Sequence, residues 1–278
     1  MGSRQTIFDS MPPSSESYDP SYFASLFSIE DRHFWFCSRN RVIAALVRQI
    51  IPTLPPDYRV LEVGCGNGNV LRFLEQVCRL GGVMGMDLFI EGLRFARGRV
   101  NCSLVQGDIN APPFEMPFNL LCCFDVLEHL PDDVRVLKDL HSMLAENGVL
   151  LLTVPAHMSL WSYFDEASHH CRRYGLEELE TKLVAAGYQV EYTTYFMVGI
   201  LPLIWAGRRL AGLRARRQGQ EETDVDQLAS GELRIFPVIN SFLSRLLAPE
   251  AGMIAGRRRL PFGTSLLALV RKSPVLPT

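Results

Sequence analysis

The sequence predicts an α/β fold built on a doubly wound parallel sheet, and three observations support this prediction. The apolar run 60–63 leads into a glycine-rich loop and then into a helical pattern over 70–77. This order of strand, tight turn and helix is typical of the first βα unit of such sheets. Later apolar runs end in acidic residues, at Asp87, Asp108 and Asp125. Because ligands bind outside the carboxyl ends of parallel strands, these acids are expected at one binding edge.

The glycine loop differs in spacing from the common phosphate-binding loops. Gly64, Gly66 and Gly68 form G-x-G-x-G, whereas a dinucleotide fingerprint is G-x-G-x-x-G and a P-loop requires a following Lys and Ser or Thr. Glycines here let the backbone approach a ligand closely, and the amides of the next helix face that ligand. Glu62 lies two residues before the first glycine, where its carboxylate would repel a pyrophosphate but suit an ammonium or sulfonium group.

Two further acids fit the recognition of a nucleoside. Asp87 ends the second predicted strand, a position where a carboxylate accepts hydrogen bonds from both ribose hydroxyls. Asp108 lies in Gly107-Asp108-Ile109, which ends the third predicted strand and is placed to meet an adenine edge.

In order and spacing these motifs resemble those of the class I S-adenosylmethionine-dependent methyltransferases. The matching stretches are VLEVGCGNG at 60–68, GMDL at 85–88, GDI at 107–109 and FDVLEHL at 124–130. The resemblance covers about residues 40 to 195 and returns at the C-terminus. It implies a Rossmann-like doubly wound sheet of seven strands with the last strand antiparallel, an N-terminal helical cap, and a helical insertion between the last two strands.

The resemblance further implies the cofactor S-adenosyl-L-methionine and the product S-adenosyl-L-homocysteine. Glu62 and the glycine loop would hold the methionine end, and Asp87 would hold the ribose. Leu88 and Ile109 would flank the adenine, and Asp108 would reach its exocyclic amine. The expected cofactor-binding residues are Glu62, Gly64, Cys65, Gly66, Gly68, Asp87, Leu88, Asp108, Ile109, Phe124 and Asp125.

Composition narrows the possible partners. The 278 residues carry a net charge of -2, so no overall field recruits nucleic acid or membranes. No Asn-Pro-Pro-Tyr-like stretch follows the fourth strand, which also disfavours a nucleic-acid substrate. The seven cysteines are scattered without a C-x-x-C pair, which indicates reduced thiols and a cytoplasmic location. The N-terminus has no basic segment followed by an apolar run, so no signal peptide is expected.

Shifts in composition predict the domain organisation. We expect a disordered N-terminus at 1–17, a helical cap or lid at 18–54, a core at 55–196 and 261–278, and a helical inserted subdomain at 197–260. The cap is expected to contain an aromatic-rich pair of short helices, the second of which carries His33-Phe34-Trp35-Phe36, followed by an amphipathic helix over 41–51. These aromatic residues either pack the cap onto the sheet or close over the cofactor as a substrate wall, and both roles are compatible.

The remaining elements follow from apolar periodicity and from capping signals. Asp132 is expected to cap a helix that Asn147-Gly148 ends, and the last two strands are expected to pair antiparallel at one edge. The predicted elements are strands at 119–124, 149–154, 188–196 and 265–270 and helices at 90–99, 176–186 and 236–247.

His129 lies in the loop after the fourth strand, which should face the reacting methyl group. Because imidazole titrates near neutral pH, His129 is a candidate general base. Alternatively, Glu128 and His129 only shape the loop by hydrogen bonding to its backbone.

The segment 156–174 is too long for an ordinary connection and is rich in polar and aromatic groups, so it is expected to recognise the acceptor. Its D-E-A-x-x-H-x-R-R-Y pattern looks like that of a bacterial type 11/12-like branch of small-molecule methyltransferases. His170 is a second candidate base, and Arg172 or Arg173 could bind a carboxylate or phosphate. Alternatively, Asp165 and Glu166 pair with the two arginines and lock the loop.

No metal site is predicted. Asp165, His169 and His170 are possible ligands by residue type, but adjacent histidines usually point apart. The candidate catalytic residues of the two loops are His129, His170 and Arg173.

The apolar segment 197–207 precedes several arginines, at 208, 209, 214, 216 and 217. Eleven residues are too few for a spanning helix, which needs roughly 20. The pattern fits either a helix packed on its own domain or peripheral membrane contact through 197–217.

Together these features predict methyl transfer to a small-molecule or lipid-like acceptor in biosynthesis, at oxygen, nitrogen or a carboxylate. The alternatives are a decarboxylase or cyclase that uses the same cofactor on the same fold, and a non-catalytic cofactor-binding subunit.

Overall fold

The computed structural model describes residue 20, residues 22–205 and residues 234–273. The segment 1–17, expected to be disordered, lies outside these residues. So do the arginines from 208 to 217.

Within the described residues, seven strands form one sheet in the order β3-β2-β1-β4-β5-β7-β6. Strands β1 to β5 are parallel, and β7 runs antiparallel between β5 and β6. This confirms the predicted seven-stranded Rossmann-like sheet with its antiparallel last strand. The strands are β1 Arg59–Val63, β2 Gly82–Asp87, β3 Ser103–Gln106, β4 Phe118–Phe124, β5 Leu144–Pro155, β6 Tyr188–Phe196 and β7 Ser265–Lys272.

Helices pack on both faces of this sheet. They are α1 Tyr22–Ile29, α2 Phe34–Ile50, α3 Leu71–Val77, α4 Ile90–Ala96, α5 Asp133–Met143, α6 Tyr163–Ala167, α7 Leu176–Ala185 and α8 Pro237–Ala255. Residues 201–205 are also helical. No helix among the described residues is long and apolar enough to cross a bilayer.

The central strand β4 explains why the sequence has an unbroken apolar run here. Leu120, Cys122 and Phe124 belong to the core on one face, with residues of α2, α3 and α8. Leu121 and Cys123 belong to the core on the other face, with residues of α5 and α7. A parallel strand that is buried on both faces needs apolar side chains at every position.

One helix end differs from the prediction. Asp132 caps α5 as expected, because its side chain accepts a hydrogen bond from the Arg135 amide at 3.1 Å. The prediction that Asn147-Gly148 ends this helix is wrong, since α5 ends at Met143 and β5 begins at Leu144. The pairing of β5 with β4 then skips 145–148 and resumes at Val149, so the Asn-Gly turn forms an excursion within a strand.

The last helix is longer than its sequence suggests. Helix α8 continues past Pro249 to Ala255 because the contacts on both sides of the proline hold it. Leu247 and Ile254 are buried, and the Glu250 carboxylate accepts hydrogen bonds from the amides of Met197 and Val198. Tertiary packing thus outweighs the helix-breaking tendency of proline.

Candidate active site

The glycine loop after β1 has the backbone geometry that its sequence predicts. Gly64, Gly66 and Gly68 all have positive φ, at 70°, 48° and 71°. The amides of Gly64 and Cys65 both donate to the Met86 carbonyl of β2, at 2.8 and 3.0 Å. A Cβ on Gly64 would lie 2.3 Å from Cγ2 of Val126, so both conformation and space require glycine there.

Asp87 lies beside this loop at the end of β2 and is buried. Its carboxylate accepts hydrogen bonds from the Gly66 amide at 2.7 Å and the Phe89 amide at 2.9 Å. Burial raises the pKa of Asp87 to about 6, although hydrogen bonds from Phe89, Gly66 and Leu88 oppose this rise. The loop and the carboxylate therefore form one structural unit.

Glu62 is buried on β1, and its Oε2 has no hydrogen-bond partner among the described residues. Burial raises the pKa of Glu62 well above its usual value; Arg39 acts in the opposite direction, while Asp87 and Glu30 add to the rise. A buried carboxyl group with an unsatisfied oxygen is costly unless a cationic or hydrogen-bonding ligand satisfies it. This environment suits the positively charged ligand that the sequence predicts.

Arg39 is a site residue that the sequence analysis missed. Its guanidinium on α2 forms a 2.6 Å ion pair with Oδ2 of Asp125, just after β4, and Thr153 donates to the other oxygen of Asp125 at 3.1 Å. Its charge also lowers the pKa values of both Glu62 and Glu128. Its spacing in the sequence could have indicated this role. Arg39 lies three, four and seven residues before the buried Val42, Ile43 and Leu46, so all four residues share one face of the helix.

The other predicted cofactor-binding residues lie at or just after the carboxyl ends of β1 to β4. Asp108 accepts hydrogen bonds at Oδ1 from the backbone and side-chain nitrogens of Asn110, both at 2.9 Å. Gln106 donates to the Leu88 carbonyl at 3.1 Å. Cys65, Ile109 and Phe124 are buried and contribute to the two apolar cores.

Helix α1 packs over the glycine loop. Asn67 in the loop donates to the Phe23 carbonyl at 2.9 Å, and the Phe23 ring lies 5.9 Å from the ring of Phe89. Arg99, beyond α4, forms an ion pair with Glu30 at the end of α1. The N-terminal segment therefore covers the edge at which Asp87 lies.

The aromatic residues in the first turn of α2 support the other side of the site. The Arg39 guanidinium lies over the rings of Trp35 and Phe36, at 4.9 and 5.5 Å from their centroids. His33 caps the helix through an Nδ1 contact with the Trp35 amide. These aromatic residues thus position Arg39 toward Asp125 as well as packing the cap.

The two candidate bases are neighbours. The rings of His129 and His170 meet edge to face with centroids 4.8 Å apart. Burial lowers the pKa of His129 to about 3, and His170 and His169 add to this effect. His129 is therefore neutral at physiological pH and a weak base. His170 differs because its Nδ1 lies 2.9 Å from Oδ1 of Asp165, which fixes the orientation of its ring.

The two arginines of the long loop are both engaged. Arg173 pairs with the buried Asp165 at 2.6 Å and donates to the Ala156 carbonyl, while Arg172 pairs with Asp133 at 2.8 Å. Glu166 instead accepts a hydrogen bond from the Trp161 indole. The pairing of Asp165 with an arginine is therefore present, whereas Asp133 takes the place expected for Glu166, and the two ion pairs lock the loop.

Comparison with known proteins places these motifs in context. A family model described as "Methyltransferase domain" matches residues 35–193. A trans-aconitate 2-methyltransferase from Azoarcus sp. is 29% identical over 147 residues, which are 52% of this chain and 55% of the relative. A ubiquinone biosynthesis O-methyltransferase from Xanthomonas campestris is 35% identical over 106 residues, which are 35% of this chain and 43% of the relative. The chain thus spans about half the length of the curated relatives it matches.

A solved structure has a fold similar to that of this chain. It is a complex of the Haloferax volcanii Trm112 methyltransferase activator with a methyltransferase, and it aligns with a TM-score of 0.57 at 16% identity. The alignment covers 92% of this chain and 97% of that chain. At this identity the likeness concerns the fold alone.

Proposed function

Because this chain belongs to the methyltransferase domain family, we propose that it binds S-adenosylmethionine at the carboxyl edge of β1 to β4 and transfers the methyl group to a small-molecule acceptor. The observation that carries this proposal is the coupling of the positive-φ glycine loop to the buried Asp87. The glycine loop lets the backbone approach a ligand closely, and Asp87 supplies a hydrogen-bond acceptor at the end of the neighbouring strand. A bound nucleoside requires both features.

The roles of the cofactor residues follow from their surroundings. Asp87 would accept from the ribose hydroxyls, and Asp108 would use Oδ2 for the adenine amine, since Asn110 occupies Oδ1. Glu62 would stabilise the cationic methionine end, which compensates its burial. The Arg39–Asp125 pair would fix the loop after β4 beside the reacting methyl group.

The chemistry is an in-line displacement at the methyl carbon. The bond from the acceptor atom to carbon forms while the sulfur–carbon bond breaks, and the electron pair remains on sulfur. Holding the acceptor and the methyl group collinear is the main contribution of the protein, worth on the order of several kcal/mol.

The acceptor side favours an oxygen that must lose a proton. Because Asp165 and Asp133 engage Arg173 and Arg172, these guanidinium groups are not well placed to bind an acceptor carboxylate. Of the two histidines, His170 is the better candidate to handle the acceptor proton, because Asp165 orients it and the lowered pKa of His129 weakens that residue as a base. Arg173 would then act as a positioning residue. The names of the two curated relatives, one of which is an O-methyltransferase, support a small-molecule acceptor.

The test has two parts. Calorimetry should show one S-adenosylmethionine bound per chain, and incubation with labelled cofactor and an extract of the source organism should release S-adenosylhomocysteine and a labelled small molecule. Cofactor binding without S-adenosylhomocysteine would indicate a non-methylating enzyme or a binding subunit. Absence of binding would refute the proposal.

A specific surface favours a second property, peripheral membrane contact. The start of α8 and the residues before 206 expose large apolar side chains: Leu203, Trp205, Phe236, Val238, Ile239 and Phe242. The arginines at 208–217 lie next in the sequence and would complement anionic lipid. We expect the native protein to co-sediment with anionic vesicles. Loss of this binding in the double variant Val238→Ser, Phe242→Ser would identify the surface. Failure of the native chain to bind such vesicles would refute the proposal.

A further inference from the structure

The short turn after β4 and the loop after α6 bring three potential metal ligands together. Glu128, His129 and His170 each offer one ligand atom, and these atoms lie within 4.8 Å of one another. The backbone holds the two segments in place, because the Cys171 amide donates to the Glu128 carbonyl at 2.7 Å. The cluster therefore depends on defined contacts between two loops at the binding edge.

Glu128 is the member whose surroundings most require a ligand. Its side chain is 1% exposed, and its Oε2 has no hydrogen-bond partner within the described part of the chain. A buried polar atom left unsatisfied requires an explanation, and a cation at this position would supply one.

The two histidines are held as metal-binding histidines usually are. The contact between Asp165 Oδ1 and His170 Nδ1 leaves the other ring nitrogen, Nε2, for a ligand. Asp165 is itself held by Arg173, and the backbone of His169 and Ser168 hydrogen-bonds to His129. A carboxylate or backbone partner on the outer nitrogen fixes the tautomer and orients the inner one toward a metal.

We propose that Glu128, His129 and His170 bind one divalent first-row transition-metal ion on the acceptor side of the site. Two imidazoles and one carboxylate suit ions such as Zn²⁺, Co²⁺, Fe²⁺ or Mn²⁺ better than Mg²⁺ or Ca²⁺, which prefer oxygen ligands. Three protein ligands also leave coordination positions for a substrate atom. This set of ligands is not the set of Asp165, His169 and His170 that the sequence disfavours. Glu128 and His129 take the places of Asp165 and His169.

The consequence for the acceptor rests on the proposed methyl transfer. A hydroxyl oxygen that binds the ion loses its proton to water more readily, because the cation stabilises the resulting alkoxide or phenolate. That oxygen then forms the bond to the methyl carbon while the sulfur–carbon bond breaks and sulfur keeps the electron pair. With Nδ1 held by Asp165 and Nε2 on the ion, His170 would favour loss of the acceptor proton as a metal ligand and would not accept the proton itself. The substrate class is a hydroxylated small molecule.

Metal binding can be measured without any acceptor. The full chain is treated with a chelator and desalted, and Zn²⁺, Co²⁺, Mn²⁺ or Mg²⁺ is then added singly in calorimetry, with the Co²⁺ absorption spectrum as a second readout. We expect one transition-metal ion per chain and weaker binding of Mg²⁺. Glu128→Gln, which keeps the size of the side chain, should weaken binding by about a hundredfold, at the upper end of the range for changes around metal sites.

His169→Ala is the matched control, because this neighbouring histidine is exposed and outside the cluster. It should bind the ion as the native chain does. Equal losses in His169→Ala and Glu128→Gln would overturn the proposal, as would native chain that binds no transition metal or binds Mg²⁺ in preference.

Cofactor calorimetry separates this inference from the proposed function. Glu128→Gln should bind S-adenosylmethionine with native affinity whether or not metal is present. Metal binding that depends on the cluster, without cofactor binding, would leave the metal site standing and refute the proposed function. Cofactor binding and unchanged methyl transfer in the chelated chain, with no metal uptake, would overturn the metal site and leave His170 as a direct base.

Discussion

The amide of Gly66 donates a 2.7 Å hydrogen bond to Oδ2 of Asp87 and so joins the glycine loop after β1 to the end of β2. The Phe89 amide donates to the other oxygen, at 2.9 Å. One carboxylate therefore sets the conformation of the loop and also lies where a ribose is expected. Changes to Asp87 should affect both the loop and the ligand.

Replacing Asp87 by Ala should weaken S-adenosylmethionine binding by about ten- to a hundredfold, as expected for the loss of charge-assisted hydrogen bonds. Calorimetry with the purified variant measures this change. Asp57→Ala is a suitable control, because Asp57 is exposed before β1 and should leave affinity unchanged. Native affinity in Asp87→Ala would remove the ribose assignment.

Cofactor affinity should depend on pH through the same residue. The pKa of Asp87 is about 6, so the carboxylate is ionised above this value and protonated below it. Ribose hydroxyls donate to the ionised form, so affinity should be highest above pH 7. Below pH 6 it should fall by up to about tenfold per pH unit, the limit when only the ionised form binds.

The pH effect can be assigned by comparison with Asp87→Asn, which cannot titrate. Its affinity should be lower than native at pH 8 and should change less between pH 5 and pH 8, with the remaining change due to Glu62, whose pKa burial also raises. A native profile no steeper than that of Asp87→Asn would contradict the assignment of the ribose to an ionised Asp87.

The sheet could be predicted from the sequence because its signals are local. The apolar run of β4 and the glycine loop are read from a few adjacent residues, and both have the expected structure. The missed features depend on contacts between distant residues. Arg39 and Asp125 are 86 positions apart, and no spacing rule connects them.

The longer course of α8 is a second example of a non-local effect. Pro249 argues locally for an end near Leu247, but the Glu250 carboxylate binds the amides of Met197 and Val198, 53 and 52 residues away. The grouping of Glu128 with His170 is likewise visible only once two loops meet. Local motifs therefore predicted the glycine loop and the strand ends, but they did not predict the contacts of the loops after β4 and α6, because those contacts join distant segments.

Replacing Gly64 by Ala should destabilise the fold. Its Cβ would meet Cγ2 of Val126 at 2.3 Å, and φ is +70°. Overpacking and left-handed strain together predict a loss of about 2–4 kcal/mol in the free energy of unfolding. Gly82→Ala is a matched control at the start of β2, since a Cβ there meets nothing within 4 Å. Urea unfolding of the two variants makes the comparison, and equal stabilities would contradict the proposed clash.

Arg173, for which the sequence predicts anion binding, should instead stabilise the fold. Its buried guanidinium pairs with the fully buried Asp165, so Arg173→Met would remove the arginine charge and leave that carboxylate with only His170 and the Ser162 amide as partners. Breaking a buried pair from one side costs about 3–5 kcal/mol, whereas an exposed pair contributes roughly 0–1 kcal/mol. Arg135→Ala, which removes the exposed arginine of the 3.8 Å pair with Asp139, should therefore leave urea unfolding nearly unchanged.

The kinetic profile of Arg173→Lys decides between positioning and direct anion binding. Lysine keeps the charge but cannot donate to Asp165 and the Ala156 carbonyl in the same planar arrangement, so the loop and His170 should lose their fixed orientation. Turnover should then fall, with KM for the acceptor little changed and the free energy of unfolding reduced. If Arg173 instead bound an acceptor anion, KM would rise while stability stayed at the native value, because a contact with substrate adds nothing to the fold of the free enzyme.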